Sequence, residues 1–297
     1  MPVPHDLIDS PGTILLDGAM GTELHRRGVD TALPLWSAGA LESAPDMVRT
    51  IHQNYVMAGS RIITANTFRT TTFTYLRAGY EIDDARATAH HKAQLAVSLA
   101  RDAAGNQALV AGSMAPVADC YSPHDYPGIS IAKDTYRELA HWLKEAGTDL
   151  LLLETHITLE ETQVALQSAM ATGLPVLVSF LINEDLNLWG GKSLHEAIKT
   201  AVGEGAAGIL INCVTLPLAR MGVDALAAQT DGLFGVYANA GRSHPSMDGA
   251  IAEKVPDEEY VAAALQWKAA GARMIGGCCG TTPSTIELMN KELSRLA

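Results

Sequence analysis

The chain has 297 residues, 47% of them hydrophobic, and carries 33 acidic against 21 basic side chains for a formal charge of -12. There is apolar material for one large α/β unit or two small ones, and composition alone does not choose. An acidic balance without basic clusters argues against nucleic acid or an anionic membrane as partner and favours cationic small molecules.

Taken in order, Thr13-Ile14-Leu15-Leu16-Asp17 is a short apolar run ending in a carboxylate, broken by Gly18-Ala19-Met20-Gly21-Thr22-Glu23; it is the first predicted strand. Helical spacing from Asp46 to Met57 opens after Ser43 and Pro45 and closes at Gly59. Arg61–Ala65 reads as the second strand, leading into Asn66-Thr67-Phe68, and an Ala-rich helix over Ile82–Ala103 precedes a third strand at Ala108–Ala111. Ser113 to Ile131 is the longest irregular piece, rich in Pro, Tyr, Asp and Gly, and has the size of a lid or binding loop. A helix from Tyr136 to Ala146 leads to a fourth strand, Asp149–Glu154, and Thr158-Leu159-Glu160-Glu161 has the form of a capping box. Pro175–Phe180, Ala207–Ile211, Leu233–Tyr237 and Ala272–Ile275 complete the predicted strands; Ser193-Leu194-His195-Glu196 is a second capping box, and Thr282-Pro283 starts a last helix.

Apolar runs that alternate with helical stretches, with no linker or shift of composition, predict a (β/α)8 TIM barrel in which residues 1–297 form one domain. A doubly wound open sheet has the same local pattern, because sequence does not display closure. Asp17, Thr67, Glu154, Cys213, Asn239, Cys278 and Cys279 all fall at C-terminal strand ends, the face that carries barrel active sites. Residues 1–12 show no basic segment followed by an apolar one, and no apolar run reaches bilayer length, so the expectation is a soluble, cytoplasmic protein. Its cysteines, Cys120, Cys213, Cys278 and Cys279, are too few and too clustered for a secreted disulfide framework.

Ile275-Gly276-Gly277-Cys278-Cys279-Gly280 holds two adjacent cysteines among three glycines. Neighbouring strand residues point to opposite faces, so both sulfurs meet one partner only where the backbone leaves strand geometry, a departure that Gly276, Gly277 and Gly280 allow. With Cys213 in Ile211-Asn212-Cys213, three thiolates at two strand ends can hold one zinc ion and leave its fourth position open. A buried apolar thiol at Cys213 and a vicinal disulfide at Cys278-Cys279 are the competing readings.

Asp17-Gly18-Ala19-Met20-Gly21-Thr22-Glu23-Leu24, Ile211-Asn212-Cys213 and Gly276-Gly277-Cys278-Cys279-Gly280, in that order, resemble the homocysteine S-methyltransferase family over nearly the whole chain. The resemblance implies a (β/α)8 barrel, with Cys213, Cys278 and Cys279 binding a Zn²⁺ that takes up the homocysteine sulfur, and methyl transfer from S-methylmethionine or S-adenosylmethionine to give methionine. By length the chain is similar to the short, single-domain members of the family. The same resemblance implies that Glu154 and Asp17, with Gly18, bind the substrate ammonium end, that Trp36 and Ser37 lie near the substrate, and that Thr67 contacts homocysteine. Asn239 lies in Ala238-Asn239-Ala240-Gly241, where relatives usually have Pro-Asn-Ser-Gly, and Ala115 stands where a second glycine is usual. A thiol- or zinc-binding barrel without turnover and a zinc hydrolase, with Glu154 or Asp17 as base, are the other functions compatible with these residues. Gly190-Gly191-Lys192-Ser193 lacks the first glycine of a phosphate loop, His90-His91 reads as a solvated helix face, and Cys120 as a free thiol.

Overall fold

Each of the eight predicted apolar runs forms a strand: β1 (Ile14–Leu15), β2 (Ile62–Ala65), β3 (Leu109–Met114), β4 (Leu150–His156), β5 (Val176–Phe180), β6 (Gly208–Asn212), β7 (Phe234–Ala238) and β8 (Met274–Gly277). This computed structural model describes residues 8, 10, 12–246 and 250–295; the expectation about a targeting segment in residues 1–12 falls almost wholly outside them. All pairings are parallel, in the order β1-β8-β7-β6-β5-β4-β3-β2. The ring is closed by a parallel bridge between Leu16 and Ile62, with the Arg61 N–H donating to the Leu15 carbonyl at 2.7 Å. Closure decides for the barrel over the open sheet.

The period of two along each strand separates two apolar layers. Ile14, Leu16, Ile62, Leu109, Ala111, Leu150, Leu152, Leu177, Leu210, Tyr237 and Met274 pack on one another inside the barrel. Their alternates, such as Leu151 and Leu153 of β4 and Ile209 and Ile211 of β6, face the surrounding helices in a second, larger cluster. Each such leucine or isoleucine, buried to within a few per cent, contributes about 1.5–3 kcal/mol relative to exposure.

The helices are α1 (Gly21–Arg26), α2 (Ala40–Ser43), α3 (Pro45–Met57), α4 (Thr72–Arg77), α5 (Ile82–Ala104), α6 (Ile129–Glu145), α7 (Leu159–Met170), α8 (Leu194–Gly203), α9 (Leu216–Gln229), α10 (Asp257–Ala269) and α11 (Pro283–Ser294). Ser193 and Glu196 form a complete capping box at α8. Thr158 caps α7 by accepting from the Glu161 N–H, but the Glu161 carboxylate instead accepts from Val117 N and Tyr136 Oη, both at 2.8 Å. The box is half made because the buried Glu161 ties down the residues after β3. Those residues are fewer than the sequence suggests: β3 runs on to Met114 and α6 begins at Ile129, leaving 115–128 with one 3₁₀ turn at Pro123–Asp125. His90 is also not a simple solvated position, since its ring stacks on Trp142 at 5.0 Å while His91 is exposed. Among the described residues no helix is long and apolar enough to cross a membrane.

Candidate metal and substrate site

Cys213 follows β6 directly, and Cys278 and Cys279 follow β8. The Cys213 backbone turns to φ 60°, a left-handed conformation that carries the sulfur back over the barrel mouth. Its Sγ lies 3.4 Å from that of Cys278 and 4.0 Å from that of Cys279, and the three sulfurs all fall within 4.8 Å of one another. All four cysteines are unbonded, so the vicinal disulfide is not formed. The glycines act differently from the sequence expectation. Only Gly280 adopts positive φ; at Gly276 a Cβ would stand 2.5 Å from Leu16 Cβ, and at Gly277 2.4 Å from Thr281 Oγ1. Gly276 and Gly277 therefore let β1 and the Thr281 turn press against the cysteine loop.

Hydrogen bonds from Cys278 and Cys279, then Tyr121, with the Asn239 amide close by, hold the Cys213 thiol well below its usual pKa. The Tyr121 hydroxyl lies 3.1 Å from Cys213 Sγ. Asn239 is fully buried with neither amide atom in a hydrogen bond of ordinary geometry. A group of soft donors, one of them biased toward thiolate and backed by an unsatisfied amide, fits a thiophilic cation. These three sulfurs could hold a metal.

Beside the sulfurs opens a cleft enclosing about 890 Å³ of empty space, part of it open to solvent. Asp17 and Glu154 stand in its wall. Asp17 accepts from Thr64 N at 2.8 Å and Thr64 Oγ1 at 3.2 Å; burial, with the Glu154 charge adding to it, raises its pKa to about 8. Glu154 accepts from the Ser113 hydroxyl, and burial raises its pKa to about 7. Neither carboxylate forms an ion pair among the described residues, so each is poised for a cation from outside.

Gly18, Trp36 and Ser37 also line the cleft, which brings eight of the ten residues singled out in the sequence to its wall. Trp36 lies on Gly21, where a Cβ would meet its ring at 2.3 Å, and meets Phe68 edge-on at 5.3 Å. Ser37 exchanges hydrogen bonds with Asn66, at 2.7 and 2.8 Å. Thr67 and Asn239 stand behind the wall; the Thr67 hydroxyl donates to the Ser113 carbonyl at 2.9 Å. Sequence reasoning missed Asn212, whose buried amide accepts from Thr155 N at 3.1 Å and Ser179 Oγ at 2.7 Å and donates to Thr155 Oγ1 at 2.8 Å. Those bonds hold Thr155 at φ 60° and so fix how its neighbour Glu154 enters the cleft. Tyr121, Phe68 and Arg69 in the lining were missed too, and Cys120, read from the sequence as a free thiol, is free and lines the cleft as well. The irregular composition after β3 was the signal for Cys120 and Tyr121, without saying which residues turn inward.

Comparison with known proteins gives a consistent result. The family model described as homocysteine S-methyltransferase matches residues 14–293. Homocysteine S-methyltransferase 1 of Arabidopsis thaliana is 30% identical over 96% of this chain and 94% of its own, and homocysteine S-methyltransferase of Escherichia coli (strain K12) is 30% identical over 94% and 95%. The metallated form of the Escherichia coli homocysteine methyltransferase MmuM superposes with a TM-score of 0.84 at 28% identity, covering 98% of this chain and 100% of that one. A match to the family model across nearly every described residue, on a barrel whose sulfur cluster and carboxylates share one mouth, means that this chain belongs to the homocysteine S-methyltransferase family.

Proposed function

We propose that the protein transfers a methyl group from a sulfonium donor, S-methylmethionine or S-adenosylmethionine, to L-homocysteine, giving L-methionine. The observation that carries this reading is the meeting of three cysteine sulfurs and two cation-poised carboxylates in one cleft. Cys213, Cys278 and Cys279 are the residues that would hold Zn²⁺, which supplies the positive charge that lets a substrate thiol ionise near neutral pH. Glu154, with Asp17, receives the homocysteine ammonium, and the incoming charge offsets the burial that raises both pKa values. Gly18 and Ser37 shape the amino-acid end of the pocket, Thr67 supports that end from behind through Ser113, and Asn239 braces Cys213 from behind. Trp36, with Phe68 beside it, offers an aromatic face to the sulfonium. In the reaction the homocysteine sulfur forms a bond to the methyl carbon, the donor's carbon–sulfur bond breaks with its electron pair left on the departing thioether, and the thiol proton goes to solvent. Reduced sulfurs are required throughout, which supports a cytoplasmic location.

The test is incubation of reduced, zinc-loaded protein with homocysteine and, in turn, S-methylmethionine, S-adenosylmethionine and betaine, with methionine as the readout. Methionine from a sulfonium donor is expected. Homocysteine binding with no methionine from any donor would contradict the proposal and leave a thiol-binding barrel.

A further inference from the structure

Arg69 is a cation that nothing in the reaction just described employs. It follows β2 in Asn66-Thr67-Phe68-Arg69, is 7% exposed, and lines the same cleft as Asp17, Glu154 and the cysteines. Its Nη1 donates to the Ala118 carbonyl, and its guanidinium carbon sits 5.4 Å from the Phe68 ring centroid, so the guanidinium is held at Nη1 and by one face. Its Nε is buried without a partner, and Nη2 makes no hydrogen bond among the described residues. Nε and Nη2 form the edge of a guanidinium that grips a carboxylate with two parallel bonds. The described residues do not fill that edge. None of the ion pairs among the described residues includes Arg69. Asp119, next in sequence to the Ala118 that Arg69 bonds, turns its Oδ1 to the Tyr121 N–H at 2.7 Å. A buried guanidinium without a counter-charge is strongly unfavourable unless a ligand completes it.

We infer that Arg69 is the anion-recognition residue of the cleft and takes the carboxylate of an amino-acid ligand of the methyl transfer. The inference rests on the reaction proposed above and extends it. The cleft then reads a zwitterion by charge, with Asp17 and Glu154 for the positive group and Arg69 for the negative one. Both the thiol acceptor and an amino-acid sulfonium donor carry such a carboxylate, and removing it from one ligand at a time tells them apart.

The experiment compares homocysteine with 3-mercaptopropylamine, and S-methylmethionine with (3-aminopropyl)dimethylsulfonium, each pair differing by the carboxylate alone. Two parallel charge-assisted bonds predict that deleting the carboxylate from the ligand Arg69 holds raises its KM by about 100-fold or more with kcat changed little. In Arg69→Gln the intact ligand is expected to bind as poorly as its decarboxylated analogue, and Arg69→Lys, which keeps the charge without the fork, falls between. A loss on the thiol pair assigns the acceptor, and a loss on the sulfonium pair assigns the donor. The inference is overturned if wild-type protein treats both analogues like their parents, or if the discrimination survives unchanged in Arg69→Gln and Arg69→Lys. Should Arg69→Gln fail to fold, the wild-type analogue series and Arg69→Lys decide. Calorimetric binding of the same four ligands reads the result without turnover, so absence of methionine in the donor panel counts against the proposed reaction and leaves this test intact.

Discussion

Replacing Glu154 by Gln removes one charge at nearly constant volume. The Ser113 hydroxyl keeps an acceptor, and the Asn212 bonds that orient Thr155 are untouched, so the fold around the site should persist. What disappears is the charge-assisted hydrogen bond to the substrate ammonium. Such bonds contribute about 1.5–3 kcal/mol, which converts to a rise in the homocysteine KM of roughly 10–100-fold at pH 8. Because burial raises the Glu154 pKa to about 7, the wild-type carboxylate is increasingly protonated below that pH. The wild-type KM should therefore climb as pH falls from 8 to 6, and the ratio of variant to wild type should shrink over the same interval. Steady-state kinetics with methionine as product measures both quantities. With 4-mercaptobutanoate, which has the thiol and carboxylate of homocysteine but no ammonium, the two proteins should differ little. An unchanged KM with kcat lost would refute the reasoning and put Glu154 at the reacting atoms instead.

Asp17, whose pKa burial raises to about 8, gives a stability prediction with a defined sign. Between about pH 4 and 8 the folded form holds a proton that the unfolded chain has released, so ligand-free stability falls as pH rises. From pH 5 to 8 wild-type protein should lose on the order of 1–4 kcal/mol more than Asp17→Asn; equal pH dependence in thermal melts of the two would contradict the assignment. At Gly276 an added methyl would stand 2.5 Å from Leu16 Cβ and 2.9 Å from the Asp17 carbonyl. Overpacking of this kind costs about 1–3 kcal/mol, so Gly276→Ala should lower Tm by several degrees, at about 2–4 °C per kcal/mol; an unaltered Tm would mean that β1 does not press on β8 as described.

The barrel was legible because leucine- and isoleucine-rich runs such as Leu150-Leu151-Leu152-Leu153 are buried on both faces and punctuated by helices, a pattern carried by neighbours in sequence. The position of Asp17, Glu154 and the cysteines at strand ends was legible for the same reason. Closure was not, since the Leu16–Ile62 bridge joins segments that no local pattern links. Tyr121 illustrates the same limit within the site: it meets a sulfur 92 residues away, and nothing in Asp119-Cys120-Tyr121-Ser122 marks which side chain turns inward. Asn212 was visible as part of a motif, yet its bonds to Ser179 and Thr155 exist only once β4, β5 and β6 are side by side. Gly276 and Gly277 were read as freeing the backbone, whereas their role is to admit Leu16 and Thr281, which the sequence alone does not bring near.

The central claim is that Cys213, Cys278 and Cys279 together hold one metal ion that accepts the substrate sulfur. X-ray absorption at the zinc edge on anaerobically reduced, zinc-loaded protein tests it directly. A shell dominated by three sulfurs at about 2.3 Å, gaining a fourth on addition of homocysteine and lost in Cys213→Ala but kept in Cys120→Ser, is the predicted result. Failure to retain zinc, or a shell of nitrogen and oxygen that homocysteine leaves unchanged, would contradict the account.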